Sequence, residues 1–371
     1  MNFSARESDS LGGPPASSNS PVPGLPVSEE SEYQVQWRLN ERCNFRCAYC
    51  FREGRDQHRA DEHPDCGKYS PEHIARSFDS VFAPKTFLRQ SGAKTPGRKN
   101  VATGKTWRIR LTGGEPFLYP GFIALAQALT RRHRLAVNTN LSAPAVRDFA
   151  EQIAPARIHS INATLHFHEV EKRGLMARWF ETFLNFQEKG FNIRLVYLTH
   201  PLLLGRIASD LEHFRAQGVA RTYVKIFRGP WNGSHYPGAF TAEERRLIQK
   251  AGLTEDEQRI LDGRVYFLSL YCGAGCIAFD MDVRGILTRC SGVKTPHGNL
   301  FEGQFNPDTQ PHPCPVLTCA CPYQGIRFAE KANLEVYADR SADGSLMVSV
   351  RRCEPGPSGA SETASMLRRP V

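Results

Sequence analysis

The chain has 371 residues, 40% of them apolar, which is enough to bury a core and to build one large domain with a smaller one beside it. The net charge of +9 is modest for this length, and the short basic stretches Arg131-Arg132-His133-Arg134, Arg351-Arg352 and Arg368-Arg369 are not interleaved with aromatics, so no nucleic-acid partner is expected. No apolar run approaches the roughly 18 residues of a membrane span, and the eleven cysteines fall mostly into two clusters, which favours metal ligation in a reducing compartment, the cytoplasm, over disulfides.

Residues 1–30 are rich in Ser, Pro and Gly and lack an apolar signal core, so they read as a disordered tail. Residues 34–39 alternate as a first strand that runs into Cys43, Cys47 and Cys50. Ser70 is placed to cap a helix over 71–82 that opens on Pro71. Residues 84–106 are basic and rich in Gly, Thr and Lys, and read as an insertion loop. Strand and helix patterns then alternate: strands over 107–111, 134–140, 158–167, 192–198 and 222–227, helices over 122–132, 144–153, 176–189 and 207–217. Trp179, Phe180, Phe183 and Leu184 form an apolar stripe that reads as core. Six such repeats predict an α/β fold with a parallel sheet and crossover helices. After Arg228 the pattern changes. Thr241-Ala-Glu-Glu244 is a capping box opening a helix to about Ala251, and 277–288 reads as a hairpin turning at Val283-Arg-Gly285. The expected boundaries are 31–230 for the large domain, 231–353 for a cysteine-rich one, and 354–371 for a second disordered tail.

Two motifs carry the chemistry. Cys43, Cys47 and Cys50 have the spacing C-x3-C-x2-C. Three thiols in one short loop suit an iron–sulfur cube with one iron left open, whereas structural zinc wants four closed ligands. A zinc knuckle completed by Cys66 or His58 is the alternative. Leu111-Thr-Gly-Gly-Glu-Pro-Phe117 closes the second strand; paired glycines there permit close backbone approach, and Glu115 adds a carboxylate. Together, in this order, these motifs resemble the radical S-adenosylmethionine (SAM) superfamily. The resemblance implies a partial (βα)6, TIM-like barrel with ligands at the strand C-termini. It also implies a [4Fe–4S] cluster on Cys43, Cys47 and Cys50, SAM held by Gly113, Gly114, Glu115 and Pro116, Tyr49 near the adenine, and cleavage of SAM to a 5′-deoxyadenosyl radical that abstracts a substrate hydrogen.

A second cysteine set comprises Cys272, Cys276, Cys290, Cys314, Cys319 and Cys321. The order Cys272, Gly285, Cys290 resembles the SPASM or shorter Twitch module that follows the barrel in such enzymes. The expected form is a small β-hairpin/α module with one auxiliary cluster on Cys272, Cys290, Cys319 and Cys321. Cys314 stands as the substitute, Cys276 could exchange with Cys272, and structural zinc is the alternative occupant. Cys66 and Cys353 read as incidental thiols.

Asn138 and Asn140, with Thr139, close the third strand and are placed to hydrogen-bond SAM. Thr164, His166 and His168 alternate on the fourth strand and so share a face. His166, His168, His200 and Arg228 are the candidate catalytic groups, with Lys225 beside them at a strand end. The expected partners are SAM, a small-molecule or peptide substrate, and an electron donor such as flavodoxin or ferredoxin. With only 42 residues before Cys43, no folded peptide-recognition domain is expected there, which favours a small carbohydrate-like or natural-product intermediate over a ribosomal peptide or protein side chain. The competing class is a non-catalytic iron–sulfur or zinc protein.

Overall fold

The computed structural model describes residues 32–50, 65–82, 106–263, 271–309 and 311–316, together with the backbone of three further strands, 334–340, 346–352 and 369–370. Its centre is a parallel sheet. In β1 (Tyr33–Asn40), Tyr33, Val35, Trp37 and Leu39 are buried while Gln34, Gln36 and Arg38 face the other way. β2 (Trp107–Gly113) repeats this with Trp107, Ile109 and Leu111 against Arg108, Arg110 and Thr112. The period of two sends one apolar row beneath the helices and one polar row onto the opposite, concave face.

β3 (Arg134–Thr139), β4 (Ile158–Thr164), β5 (Ile193–Leu198) and β6 (Thr222–Lys225) follow in order, each parallel to the one before. The helices α1 (Pro71–Ser80), α2 (Phe122–Thr130), α3 (Ala145–Gln152), α4 (Phe167–Lys172), α5 (Met176–Glu188) and α6 (Ile207–Ala216) lie between them in sequence. Ser70 caps α1 by accepting the His73 N–H, as its position implies. The core is aromatic: Trp37, Trp107, Trp179, Phe78, Phe149, Phe183 and Phe186 are fully buried, each worth about 1.5–3 kcal/mol on removal from water. The α5 stripe is therefore core. Trp107 also donates its indole N–H to the Phe78 carbonyl at 3.1 Å, tying β2 to α1.

One predicted strand is too long. β4 ends at Thr164, and the chain turns at His166 into α4. Thr164, His166 and His168 therefore do not share a strand face. Glu169 and Arg173, four residues apart on the new helix, pair at 2.8 Å.

Beyond β6 come the hairpin β7 (Gly229–Trp231) and β8 (Ser234–Tyr236), then α7 (Ala242–Lys250) with the expected Thr241/Glu244 capping box, and α8 (Glu255–Leu261). After the short β9 (Tyr271–Cys272), β10 (Ala278–Met281) and β11 (Ile286–Cys290) form the expected hairpin and β12 (Val293–Asn299) extends it. At the turn Gly285 has φ +85°, and a Cβ there would stand 2.9 Å from the Asn299 side-chain oxygen and closer still to the Phe301 ring. This hairpin does not stand apart. β10 lies parallel to β1, pairing Gln34 with Ala278 through Trp37 with Met281, so one nine-stranded sheet runs β12-β11-β10-β1-β2-β3-β4-β5-β6. β13 (His312–Pro313) pairs with β9. β14 (Leu334–Arg340), β15 (Leu346–Arg352) and β16 (Arg369–Pro370) make a separate antiparallel sheet, so Arg369–Pro370 is paired although the terminal stretch reads as an unstructured tail. Among the described residues no helix is long and apolar enough to cross a membrane.

Candidate active site

The loop after β1 carries Cys43, Cys47 and Cys50 to the C-terminal end of the sheet. Phe45 plugs it into the core at 3% exposure, and the Cys50 N–H closes a turn onto the Cys47 carbonyl at 3.0 Å. Asn44 donates to Ser142 Oγ at 2.8 Å and accepts from the Asn140 amide at 2.9 Å, so the loop is moored to the turn that follows β3. Cys43 Sγ accepts the Phe45 N–H at 3.4 Å and the Asn140 amide at 3.9 Å. Cys43 and Cys50 are exposed and Cys47 is half-buried. Burial pushes the Cys47 thiol up to about 12, and the neighbouring Cys43, Glu169 and Cys50 add to the effect.

The Gly-Gly-Glu segment is zipped to the base of this loop. The Gly114 N–H donates to the Asn40 carbonyl at 3.1 Å, the Glu115 N–H to the Arg42 carbonyl at 2.7 Å, and the Asn40 amide to the Glu115 carbonyl at 2.9 Å. Gly113 has φ +144°, and a Cβ on it would meet Asn40; one on Gly114 would stand 2.8 Å from the Glu41 carbonyl and nearer to that of Arg42. Both glycines thus admit the backbone of the cysteine loop.

The Glu115 carboxylate is not beside open backbone, as its position in the motif suggests; it is turned inward at 1% exposure. It accepts from Thr139 Oγ1 at 2.7 Å, the Asn140 N–H at 2.8 Å and the Phe117 N–H at 3.3 Å. Burial outweighs these donors and raises its pKa to about 7. Pro116 opens the 3-10 turn Pro116–Leu118.

The remaining candidates divide. Tyr49 hydrogen-bonds His166 Nδ1 at 3.1 Å and packs on His200 at 4.7 Å between ring centres, with Phe227 at its edge. Burial raises the Tyr49 hydroxyl and holds His166 and His200 at about 4, so both rings are neutral near pH 7. His200 stacks edge-on to Trp231 at 4.5 Å. His168 is exposed on α4 but stays close enough to add to the lowering of His200. Asn138 accepts from the Asn162 amide at 2.7 Å, and Arg194 Nε donates to Asn162 Oδ1 at 2.7 Å. Thr164, at the end of β4, stands in register with Val196. Lys225 ends β6, and Arg228 lies three residues on, half-buried. Asn162 and Arg194 were not singled out in the sequence; the signal available was Arg194 as the one charged residue in the otherwise apolar β5.

The second cysteine set is partly assembled. Cys272 Sγ accepts the Ala274 N–H at 3.3 Å, and the Gly292 and Val293 amides point at Cys290 Sγ. Cys272 is in register with His312, two residues before Cys314, and Arg289 donates to the His312 and Pro313 carbonyls at 3.0 and 3.1 Å. Cys314 is near enough to raise the Cys290 thiol. Cys272, Cys290 and Cys314 thus share one edge. Cys276 is turned into the core, where Asp308 and Tyr33 are its charged and titratable neighbours. Cys66 Sγ donates to the Leu39 carbonyl at 3.8 Å. Cys319, Cys321, Cys353 and His58 lie outside the described residues. Among the described residues no three His, Cys, Asp or Glu side chains stand at metal-ligating spacing. A cleft of ≈ 400 Å³ lined by Phe167, Met176, Phe180, Arg206 and His213 lies among α4, α5 and α6, away from these strand ends.

Residues 37–217 match the model of the radical SAM superfamily. A GTP 3′,8-cyclase of Haemophilus influenzae (strain PittGG) is 33% identical over 111 residues, 29% of this chain and 26% of that protein. One of Pseudomonas fluorescens (strain Pf0-1) is 27% identical over 147 residues, 39% of this chain and 36% of that protein. The chain thus spans between about a quarter and just over a third of these curated relatives. Among solved structures, Streptococcus suis SuiB bound to S-adenosylmethionine is similar at 17% identity and a TM-score of 0.46, covering 74% of this chain and 64% of that one. For anSMEcpe with bound AdoMet the identity is 12% and the TM-score 0.48, covering 73% of this chain and 75% of that one.

Proposed function

Because the chain belongs to the radical SAM superfamily through residues 37–217, whose members use a [4Fe–4S] cluster and SAM, we propose that it is an enzyme that removes a hydrogen atom from a small-molecule substrate at the open end of the sheet. The observation that carries this reading is the mutual anchoring of the two motifs: the three-cysteine loop and the Gly-Gly-Glu segment share backbone hydrogen bonds at neighbouring strand ends. The donor set fits the cofactor. Three soft thiols leave one iron open, and amide donors already face Cys43 Sγ.

Cys43, Cys47 and Cys50 would hold the cluster. Gly113, Gly114, Glu115 and Pro116, with Asn138, Asn140, Thr164 and Tyr49, would border SAM. When bound, the pair supplies one electron and a hydrogen-abstracting carbon radical. The protein's own contribution is positional. Glu115 locks the ends of β2 and β3 together, and Phe45 and Asn44 fix the loop. Tyr49, His200, Phe227 and Trp231 form an aromatic wall that keeps water from a reactive centre. Partial similarity to GTP 3′,8-cyclases supports a small molecule over a peptide. An auxiliary cluster on Cys272, Cys290 and Cys314, completed by Cys319 or Cys321, and electron delivery from a flavodoxin or ferredoxin belong to the same proposal.

The test is 5′-deoxyadenosine formation from SAM by the anaerobically reconstituted protein with dithionite, beside Cys47→Ala. Product that disappears in the variant supports the reading. A colourless zinc protein, or a fully iron-loaded one that leaves SAM intact, points instead to a non-catalytic metal or electron-transfer protein.

A further inference from the structure

We infer that the concave face holds its substrate by a negatively charged group, a phosphate or a carboxylate, bound by Lys225 with Arg194 and Arg228. This rests on the proposed substrate site and narrows what occupies it.

The sheet register builds the site. Asn138, Asn162 and Arg194 stand in one row across β3, β4 and β5, Val196 is opposite Tyr223, and Leu198 is opposite Lys225. Arg194, the second residue of β5, and Lys225, the last of β6, therefore share the polar face; the Arg194 guanidinium reaches up it as far as the Tyr223 ring, and Arg228 follows where the chain leaves β6. Deeper on the same face Arg108 and Arg134 share one carboxylate, Glu32, at 2.7 and 3.5 Å. Arg194 and Lys225 have no carboxylate at ion-pair distance among the described residues. Arg194 is fixed by neutral partners, its Nε on Asn162 at 2.7 Å and its guanidinium over the Tyr223 ring at 4.2 Å. Lys225 makes no hydrogen bond or ion pair among the described residues.

The acids nearby have their hydrogen bonds elsewhere. Glu257, 2% exposed, faces Lys225 but accepts from the Tyr223 hydroxyl at 2.5 Å and the Ile226 N–H at 2.8 Å. Asp280 takes Lys294 at 3.3 Å, and Glu169 takes Arg173 at 2.8 Å. Burial, and then the positive charge of Arg228, Arg194 and Arg110, hold the Lys225 ammonium below the ordinary lysine range, against the opposing charge of Glu257. A shielded ammonium among guanidinium groups is costly unless an anion completes it.

One neutral donor adds to the pattern. His200 Nδ1 accepts the Leu202 N–H at 3.3 Å, so the ring proton sits on Nε2. That nitrogen is buried and has no partner. The cationic group lies close to the proposed SAM site, since Lys225 is also among the charges that depress His166, the partner of Tyr49.

SAM carries a carboxylate of its own, so the experiment separates two anions. Binding of SAM, and of pyrophosphate and citrate with SAM present, is measured calorimetrically on the anaerobically reconstituted full chain, for the wild type, Lys225→Gln and Lys225→Arg. The expected result is one pyrophosphate or citrate site per chain, weakened at least tenfold by Lys225→Gln, restored to within about threefold by Lys225→Arg, and a SAM affinity that falls far less than that of the probe. Wild-type protein that binds neither probe, or binding indifferent to Lys225→Gln, overturns the inference. So does a SAM affinity that falls as far as that of the probe, which assigns the charge to the SAM carboxylate. Wild-type 5′-deoxyadenosine formation is followed in parallel: cleavage without anion binding removes this inference alone, whereas absent cleavage removes the enzyme reading beneath it.

Discussion

Gly114→Ala is the most stringent perturbation of the site. The added Cβ would lie 2.8 Å from the Glu41 carbonyl oxygen and overlap the Arg42 carbonyl, both backbone atoms that no rotamer change relieves. Relief requires the base of the cysteine loop to retreat from β2 by about 1 Å or more. The Glu115 N–H to Arg42 bond at 2.7 Å and the Gly114 N–H to Asn40 bond at 3.1 Å would then stretch beyond useful geometry. Each strands a buried backbone group at about 1–3 kcal/mol, so the loss is about 2–6 kcal/mol, a large share of the 5–15 kcal/mol typical of a domain. The assay is anaerobic urea unfolding of the metal-free protein, with iron per chain measured after reconstitution. Gly205→Ala is the control, since nothing lies within 4 Å of a Cβ there and it should stay within about 0.5 kcal/mol of wild type. A Gly114→Ala protein within about 1 kcal/mol of wild type and carrying full iron would refute the argument that this contact sets the loop.

Three further outcomes follow. Glu115 has its pKa raised from 4.5 to about 7 by burial; the native state then binds more protons than the unfolded one between these values, so this group's contribution to stability is fullest below pH 4.5 and falls by about 3 kcal/mol as pH rises through about 7. The difference between wild type and Glu115→Gln in SAM-free unfolding curves should carry that slope, and a flat difference contradicts it. Thr139→Val removes the donor to Glu115 at 2.7 Å and the acceptor of the Leu141 N–H at 2.9 Å, and should lower the urea midpoint by an amount corresponding to about 1–3 kcal/mol. Cys290→Ala should lower iron per chain while the Cys43 to Cys50 loop stays loaded; unchanged iron content would remove Cys290 from the auxiliary set.

Much of the sheet was legible because strand and helix periods differ and six repeats of the pair leave few alternatives. Ser70-Pro71 and Thr241…Glu244 announced their helices through the backbone donors they satisfy. Thr254…Glu257 has the same spacing and was passed over, and its glutamate goes to Tyr223 and Ile226 rather than back to the cap. α4 was missed because six residues are too few to display a helical period, and Leu165-His-Phe-His168 mimics a strand. Both cofactor motifs stood out as local strings. The inward turn of Glu115 did not, since its partners Thr139 and Asn140 come from another strand. Nor did the site cations: Lys225 reads as an ordinary strand end until the fold sets it on the same polar face as Arg194 of the neighbouring strand.

The parallel pairing of β1 with β10 bears on how the chain is made. β1 is the first described strand in the chain, yet its outer neighbour begins at Ala278. Until that residue has left the ribosome, one side of β1 presents unmatched amides and carbonyls, and the cysteine loop hangs from a strand supported only by β2. Contacts this distant in sequence are slow to form, and an open strand edge invites pairing with other chains. An expression product truncated ahead of Ala278 would thus carry the cysteine loop on a first strand unsheltered on one side.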